Sequence, residues 1–243
     1  DEHREFHKLF IDTSADAGAS TLYARKCLWG FADDKGRHNN IDWPYTAFMA
    51  VSEPLKSFDC DKESFIGMYR NDDRPQAMLD AHLAGRSGRF TDAIAALQVQ
   101  VSLAPGESKT IVFTLGAAED GREDADELVR RYTAPEKSEQ ALREVKAFWS
   151  RFIDTEVVET PDEALNFMTN YWLKYQSISG RLWGKSGLYQ VSAGIGYRDQ
   201  LQDSQIFLVS QPEYAKKQLM LHAAHQFIEG DVLHWWHEPA SGV

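Results

Sequence analysis

Apolar and polar positions change rhythm once along the 243-residue chain, near residue 118. Before that point the period is two. Residues 97–103, Leu-Gln-Val-Gln-Val-Ser-Leu, alternate strictly and predict a half-buried strand. Ala104-Pro105-Gly106-Glu107-Ser108 carries turn residues, and residues 111–115, Ile-Val-Phe-Thr-Leu, resume the extended pattern. The two runs predict a β-hairpin with a long loop. Stretches at 6–11, 21–29 and 64–68 read as further strands separated by polar or Gly/Asp-containing turns. An antiparallel β-sandwich is expected over residues 1–118.

From Asp120 onward the pattern is helical. Residues 123–132 and 138–152 are rich in Glu, Ala, Leu, Arg and Lys, and predict a helical linker over 119–158. Thr160-Pro161-Asp162-Glu163 predicts a helix start, with Thr160 as cap, Pro161 at the first helical position and Glu163 able to close a capping box. Leu165, Met168, Trp172 and Tyr175 follow at helical spacing and predict an apolar face. A later helix is expected over 212–228, with a stripe of Met220, Ala223, Ala224 and Phe227 and with Gly230 just past its end. Between them the Gly-rich residues 186–196 read as a loop, followed by a helix beginning near Arg198. The expected fold class is mixed, a β-sandwich, linker helices, then helices of a further domain over 159–243.

Composition narrows the partners. Hydrophobic residues at 43% and charged residues at 26% fit an ordinary soluble globular chain. A net charge of −11 argues against nucleic acid or an anionic membrane as main partner, because either selects a basic face. Any phosphate site must then be a local basic pocket. No apolar run approaches the ~18 residues needed to span a bilayer. Asp1-Glu2-His3-Arg4 shows no signal-peptide pattern. The two cysteines, Cys27 and Cys60, make no disulfide framework and suit a cytoplasmic setting. Seven tryptophans fit a sugar-binding protein, whose ligand rings stack on flat apolar faces, and equally an aromatic core.

Two segments are dense in chemistry. The first runs from Arg181-Leu182-Trp183-Gly184-Lys185 through Tyr189-Gln190 to Gly196-Tyr197-Arg198-Asp199-Gln200-Leu201-Gln202-Asp203. Its glycines let backbone approach a ligand closely. Asp199 falls where a helix N-terminus stabilises an ionised carboxylate able to accept from adjacent sugar hydroxyls. A buried Arg–Asp pair fixing a loop has the same signature. Gly194-Ile195-Gly196 lacks the third glycine of a dinucleotide fingerprint, and Ser179 stands where a phosphate-binding loop ending at Lys185-Ser186 needs glycine. The second segment, Gly230-Asp231-Val232-Leu233-His234-Trp235-Trp236-His237-Glu238, brings hydrogen-bonding and stacking groups into one short run. His222 and His225 stand before it, but the spacing is not that of a His-Glu-x-x-His metal site.

These residues resemble glycoside hydrolase family 94, the inverting β-glucoside phosphorylases. Arg181-Leu-Trp, Ser186-Gly-x-Tyr-Gln190, Gly196-Tyr-Arg-Asp-Gln-Leu-Gln-Asp203 and Gly230-Asp-Val-x-His-Trp-Trp-His237 follow the family in order and spacing. Upstream, residues 58–70, 93–98 and 103–109 are similar to the family's N-terminal sandwich. Arg198-Asp199-Gln200-Leu201-Gln202-Asp203 looks closer to the cellodextrin, cellobionic acid and β-1,2-glucan phosphorylases than to those acting on cellobiose or chitobiose, and residues 65–70 and 93–97 favour cellodextrin.

The resemblance implies phosphorolysis with inversion, giving α-glucose 1-phosphate, in the first part of an (α/α)6 barrel. It implies no cofactor, with inorganic phosphate as co-substrate and a β-glucan oligosaccharide as partner. Arg198, Asp199 and Asp203 are then expected to hold the glucosyl unit, with Tyr189, Gln190, His234, Trp235 and His237 around the sugar. Lys185 and Arg181 are expected near phosphate, although relatives usually carry arginine at the position of Lys185. The family's general-acid aspartate is expected beyond Val243, in the remainder of a longer parent polypeptide. A homodimer, a cytoplasmic location and the absence of metal are further expectations, and the phosphorylase-like domain of a cyclic β-1,2-glucan synthase or a non-catalytic carbohydrate-binding fragment are the competing readings.

Overall fold

The computed structural model describes residues 8–27, 44–184 and 194–236. Two compact units divide the chain, Asp1–Leu142 and Arg143–Val243.

The first unit is built on antiparallel sheet. β1 (Ile11–Asp16), β2 (Thr21–Lys26), β3 (Thr46–Val51) and β6 (Phe113–Ala118) form one sheet in the order β1-β2-β3-β6. β4 (Leu55–Asp61) and β5 (Ala93–Val99) form a second, with irregular register between Leu55 and Ser57 and between Asp59 and Asp61. Strict alternation decides the faces. Tyr23 stands opposite Phe48, and Phe48 opposite Gly116. Gly116 leaves room for the Phe48 ring, since a Cβ there would stand 2.5 Å from Phe48 Cζ. Helix α3 (Arg122–Tyr132) lays Ala125, Leu128 and Val129 against Tyr23, Phe48 and Ala118. The Tyr23 hydroxyl donates to Asp126 Oδ1 at 2.5 Å, and the Arg122 guanidinium lies 4.1 Å from the Tyr23 ring centre. Burial, with the bond to Asp126, pushes the Tyr23 phenol up to about 12. Leu22 and Met49, on the alternate positions, line an apolar cavity of about 280 Å³ together with Cys60 and Ile94 of the second sheet.

Three expectations for this unit fail, the first at residues 8–10, which form a turn ahead of β1 where the strand over 6–11 was expected. The runs at 97–103 and 111–115 do not form a hairpin: β5 pairs with β4 and β6 with β3, in separate sheets. Alternation marks a strand without naming its partner. Residues 64–68 are not a strand, because the Asp61 side chain accepts from Glu63 N at 3.1 Å and starts a short helix α1, Lys62–Ile66. The buried Asp59 carboxylate supports that turn, accepting from Asp61 N, Ser64 Oγ and Ala84 N at 3.0, 2.9 and 3.3 Å. Another short helix, α2 (Gln76–Asp80), completes the connection to β5.

Helix α4 (Pro135–Ile153) carries the division between the units within it. In the second unit the core holds Phe152, Ile178, Leu182, Phe207 and Ala215, with Trp149 and Ile206 packed against them. A helical run from residue 163 to residue 183 alternates α5 (Glu163–Phe167), a π turn (Met168–Trp172), α6 (Leu173–Gln176) and a second π turn (Ser177–Trp183). Its cap is Asp162, whose Oδ1 accepts from Ala164 N and Leu165 N at 2.9 and 3.2 Å, and not Thr160. Thr160 Oγ1 instead donates to Asn166 Oδ1 at 2.8 Å.

The apolar face expected at Leu165, Met168, Trp172 and Tyr175 is 41–49% exposed. The buried positions are Asn170, Lys174, Ile178 and Leu182, one in every four. The widened i→i+5 turns lengthen the helical repeat, so a period of 3.6 selects the wrong residues. Two of the four are polar because they satisfy backbone. Asn170 bonds both N–H and C=O of Val158 at 2.8 Å, and Lys174 Nζ donates to Ile153 O at 2.6 Å, at the last residue of α4, and to Glu156 O at 2.5 Å just past it.

Three shorter helices follow, α7 (Tyr197–Asp203), a 3-10 turn (Ser204–Ile206) with α8 (Phe207–Ser210), and α9 (Pro212–Ala223). The stripe expected on the last is also displaced, since Met220 is 64% exposed while Ala215 and His222 are buried.

Candidate functional site

Four charged side chains meet in the second unit. Ile178 and Leu182, fixed in the core, set the pitch of the second π turn and leave Arg181 between them on its flank. Asp199 and Asp203 stand four residues apart on α7, which places both carboxylates on one helix face. Arg181 spans them, its Nε donating to Asp203 Oδ2 at 2.7 Å and its terminal nitrogen lying 3.4 Å from Asp199 Oδ2. Arg198 presents a fork to the other oxygen of Asp199, with Nε and a terminal nitrogen at 3.0 and 2.9 Å. The Arg198 hydrogen bonds, reinforced by the charges of Arg198 and Arg181, hold the Asp199 carboxyl below the usual carboxylate range against the opposing effect of burial. The Arg198 side chain is largely exposed at 84%, whereas Arg181 is 28% exposed.

The entry to α7 is held by Gln200. Its Oε1 accepts from Gly196 N at 2.5 Å and its Nε2 donates to Gly194 O at 3.2 Å. Residues 195–196 form a short strand β7 against β8 (Trp235–Trp236), with Ile195 opposite Trp236 and Gly196 opposite Trp235. Tyr197 N donates to His234 O at 3.2 Å, extending the ladder. The two segments dense in chemistry are thus hydrogen-bonded neighbours. Trp235 is half-exposed beside Gly196, and Trp236 is buried. Behind them lies an aromatic box. His225 stacks on Trp236 with ring centres 4.2 Å apart, and His222 meets Trp236 edge-on at 5.2 Å and Tyr197 at 5.4 Å.

The structure therefore brings together Arg181, Arg198, Asp199 and Asp203, and joins His234 and Trp235 to them through the β7–β8 pair. Lys185, Tyr189, Gln190 and His237 lie outside the described residues. Gln200, Tyr197, His222 and Trp236 carry structural parts that sequence reasoning did not assign. The signal for Gln200 was its place four residues after Gly196, and for Tyr197 its place directly before the Arg-Asp pair. Chemically, the cluster offers charged donors and acceptors side by side next to an exposed indole, a combination suited to vicinal hydroxyls on a ring with an apolar face. Among the described residues, no group of three or more His, Cys, Asp or Glu side chains is placed to hold a metal, and no helix is long and apolar enough to cross a membrane.

The structure thus has two parts, an antiparallel sheet unit followed by a helical unit that carries a carboxylate–guanidinium cluster. Two family models divide the sequence in the same sense: "Glycosyl hydrolase 94, supersandwich domain" matches residues 1–135, and "Glycosyl hydrolase 94 superfamily, catalytic domain" matches residues 148–241. The chain belongs to the glycosyl hydrolase 94 family. It is 37% identical over 199 residues to the cyclic beta-(1,2)-glucan synthase NdvB of Rhizobium meliloti (strain 1021), covering 81% of this chain and 7% of that protein. It is 29% identical over 199 residues to a solabiose phosphorylase of Paenibacillus borealis, covering 80% and 24%. With a cellobionic acid phosphorylase of Neurospora crassa it shares 25% identity over 177 residues, covering 73% and 22%. The chain thus spans under a quarter of the length of these phosphorylases and a much smaller share of the synthase.

Proposed function

We propose that this chain is the sandwich and first catalytic helices of a protein that cleaves β-linked glucosides with inorganic phosphate, releasing α-glucose 1-phosphate with inversion. The observation that carries the reading is the Arg181–Asp199–Arg198–Asp203 cluster, joined by the β7–β8 pair to Trp235 in the part matching the catalytic domain. In the reaction, a phosphate oxygen attacks the anomeric carbon as the bond to the leaving sugar breaks, and the leaving oxygen takes a proton. Phosphate is already an anionic nucleophile, so the chemistry requires an acid but no carboxylate base to activate water.

Arg198 and Asp199 grip the glucosyl hydroxyls, Asp203 anchors Arg181, and Tyr189, Gln190, His234, Trp235 and His237 surround the ring. Arg181 is already matched by two carboxylates, so the phosphate charge falls mainly to Lys185. The general acid is assigned to residues outside this chain. In domain terms we divide the chain at 1–118, 119–158 and 159–243, with the last stretch opening an (α/α)6 barrel.

The linkage has two candidates. The pattern of Arg198-Asp199-Gln200-Leu201-Gln202-Asp203 and of residues 65–70 favours a cellodextrin. The 37% identity to a cyclic beta-(1,2)-glucan synthase, against 29% and 25% to two phosphorylases, favours β-1,2-glucan handled by a phosphorylase-like domain of a larger synthase. Incubating the full-length parent polypeptide with cellodextrins and with linear β-1,2-glucooligosaccharides, with and without phosphate, separates them. Phosphate-dependent release of α-glucose 1-phosphate from one panel identifies the linkage. Equal cleavage without phosphate would sink the phosphorolysis reading.

A further inference from the structure

His222 is fully buried at 0% exposure on a helix that is otherwise mostly solvent-facing. Its Nδ1 lies 2.7 Å from Gln218 O. A carbonyl oxygen only accepts, so Nδ1 carries the proton, and in the neutral ring Nε2 is then a bare acceptor. Among the described residues, no hydrogen-bond partner reaches Nε2, and none reaches the indole N–H of Trp236, which is 1% exposed. One box therefore contains an unmatched buried acceptor and an unmatched buried donor, on rings whose centres are 5.2 Å apart. Leaving such groups unmatched is costly, and natural proteins rarely do so without a reason at the site.

The box also has a particular position. Tyr197, packed edge-on against His222, immediately precedes Arg198 and Asp199 on α7. Trp236, packed against His222 on another side, pairs with Ile195 and follows Trp235. His222 touches both segments that build the candidate site and belongs to neither.

We infer that His222 is a positioning residue, holding Tyr197 and Trp236 so that Arg198, Asp199 and Trp235 keep the geometry that receives a glucoside, and that its Nε2 and the Trp236 indole N–H bind a hydroxyl group. A hydroxyl fits because it donates to the bare nitrogen and accepts from the indole. Water and a sugar hydroxyl share that chemistry. The inference rests on the glucoside reading of the site, but not on phosphorolysis.

The test measures glucoside binding directly in the full-length parent, by calorimetry with cellobiose and with its β-1,2 isomer. It compares wild type with His222→Phe, which keeps a flat ring, and with His222→Gln, which can return an acceptor near Nε2. The inference expects His222→Phe to weaken binding about 10- to 100-fold, as displacement of a preorganised site does, and His222→Gln to recover part of it. Unchanged binding in a folded His222→Phe overturns the inference. Equal losses in both variants mean that only packing matters, and also overturn it. If His222→Phe does not fold, Trp236→Phe takes its place and must weaken binding comparably. The Trp236 indole proton, followed by NMR in the 243-residue chain, distinguishes the sources. A resonance at a hydrogen-bonded position without sugar assigns the hydroxyl to water, and one that moves there only on adding sugar assigns it to the ligand. A resonance that stays free in both conditions removes the hydroxyl from the proposal. Wild type that binds glucosides without phosphorolysis refutes the reaction and leaves this inference standing, whereas wild type that binds none refutes the inference.

Discussion

Arg181 Nε donates to Asp203 Oδ2 at 2.7 Å across 22 residues of sequence, and the same guanidinium lies 3.4 Å from Asp199. This one side chain ties the second π turn to the helix carrying both candidate sugar-holding carboxylates. Replacing it with methionine leaves Asp199 held, among the described residues, by the exposed Arg198. Glucoside affinity of the full-length protein is expected to fall about 10- to 100-fold. Arg181→Lys is expected to recover little, because a compact ammonium does not reproduce a planar fork. Titration calorimetry decides it, and full recovery by lysine contradicts the account.

Asp199 supplies a pH signature. Its carboxyl titrates below the usual range because Arg198 and Arg181 favour the charged form. A depressed carboxylate contributes stability that is present above the unfolded value, about pH 4, and lost as pH falls through the lower folded value. The stability difference between wild type and Asp199→Asn should therefore be constant near neutral pH and shrink below about pH 4. Denaturant unfolding at a series of acidic pH values measures it, and a difference that grows on acidification has the wrong sign.

Tyr23 acts at the opposite end of the scale. Its phenol is pushed up to about 12, so the neutral form is favoured in the folded protein. That stability is present below the unfolded value near 10 and is lost as pH rises through about 12. Ultraviolet titration should show one tyrosine ionising late, with unfolding to match. In Tyr23→Phe both features should disappear, and the lost bond to Asp126 should cost about 2 kcal/mol at neutral pH.

Among the described residues, buried Lys174 meets no carboxylate and donates instead to the carbonyls of Ile153 and Glu156. Lys174→Met keeps the volume and removes the donors, leaving carbonyls near a helix C-terminus unmatched. A loss of about 3 kcal/mol is expected in chemical denaturation. A neutral effect would show that these carbonyls find other partners.

Local pattern carried much of the helical structure and both motif segments. Residues 123–132 and 138–152 fall within α3 and α4, and the helix expected near Arg198 begins at Tyr197. It misplaced the buried face of the run from residue 163 to residue 183, where π turns changed the repeat. It gave no sign of the buried Lys174 and Asn170, because nothing in their identity shows that backbone carbonyls and amides wait for them inside.

Neighbours along the chain set the local features of this protein. Alternation and helical composition separated strands from helices, and the order and spacing of Arg181, Arg198-Asp199, Asp203 and Trp235-Trp236 marked both the family and the candidate site. Tertiary structure alone decided which strands share a sheet, which polar side chains are buried, and that residues 195–196 pair with 235–236. The reason is range. Backbone preference and periodicity are set within a few residues. Pairing, burial and the bridge from Arg181 to Asp203 depend on groups that only packing brings within hydrogen-bonding distance.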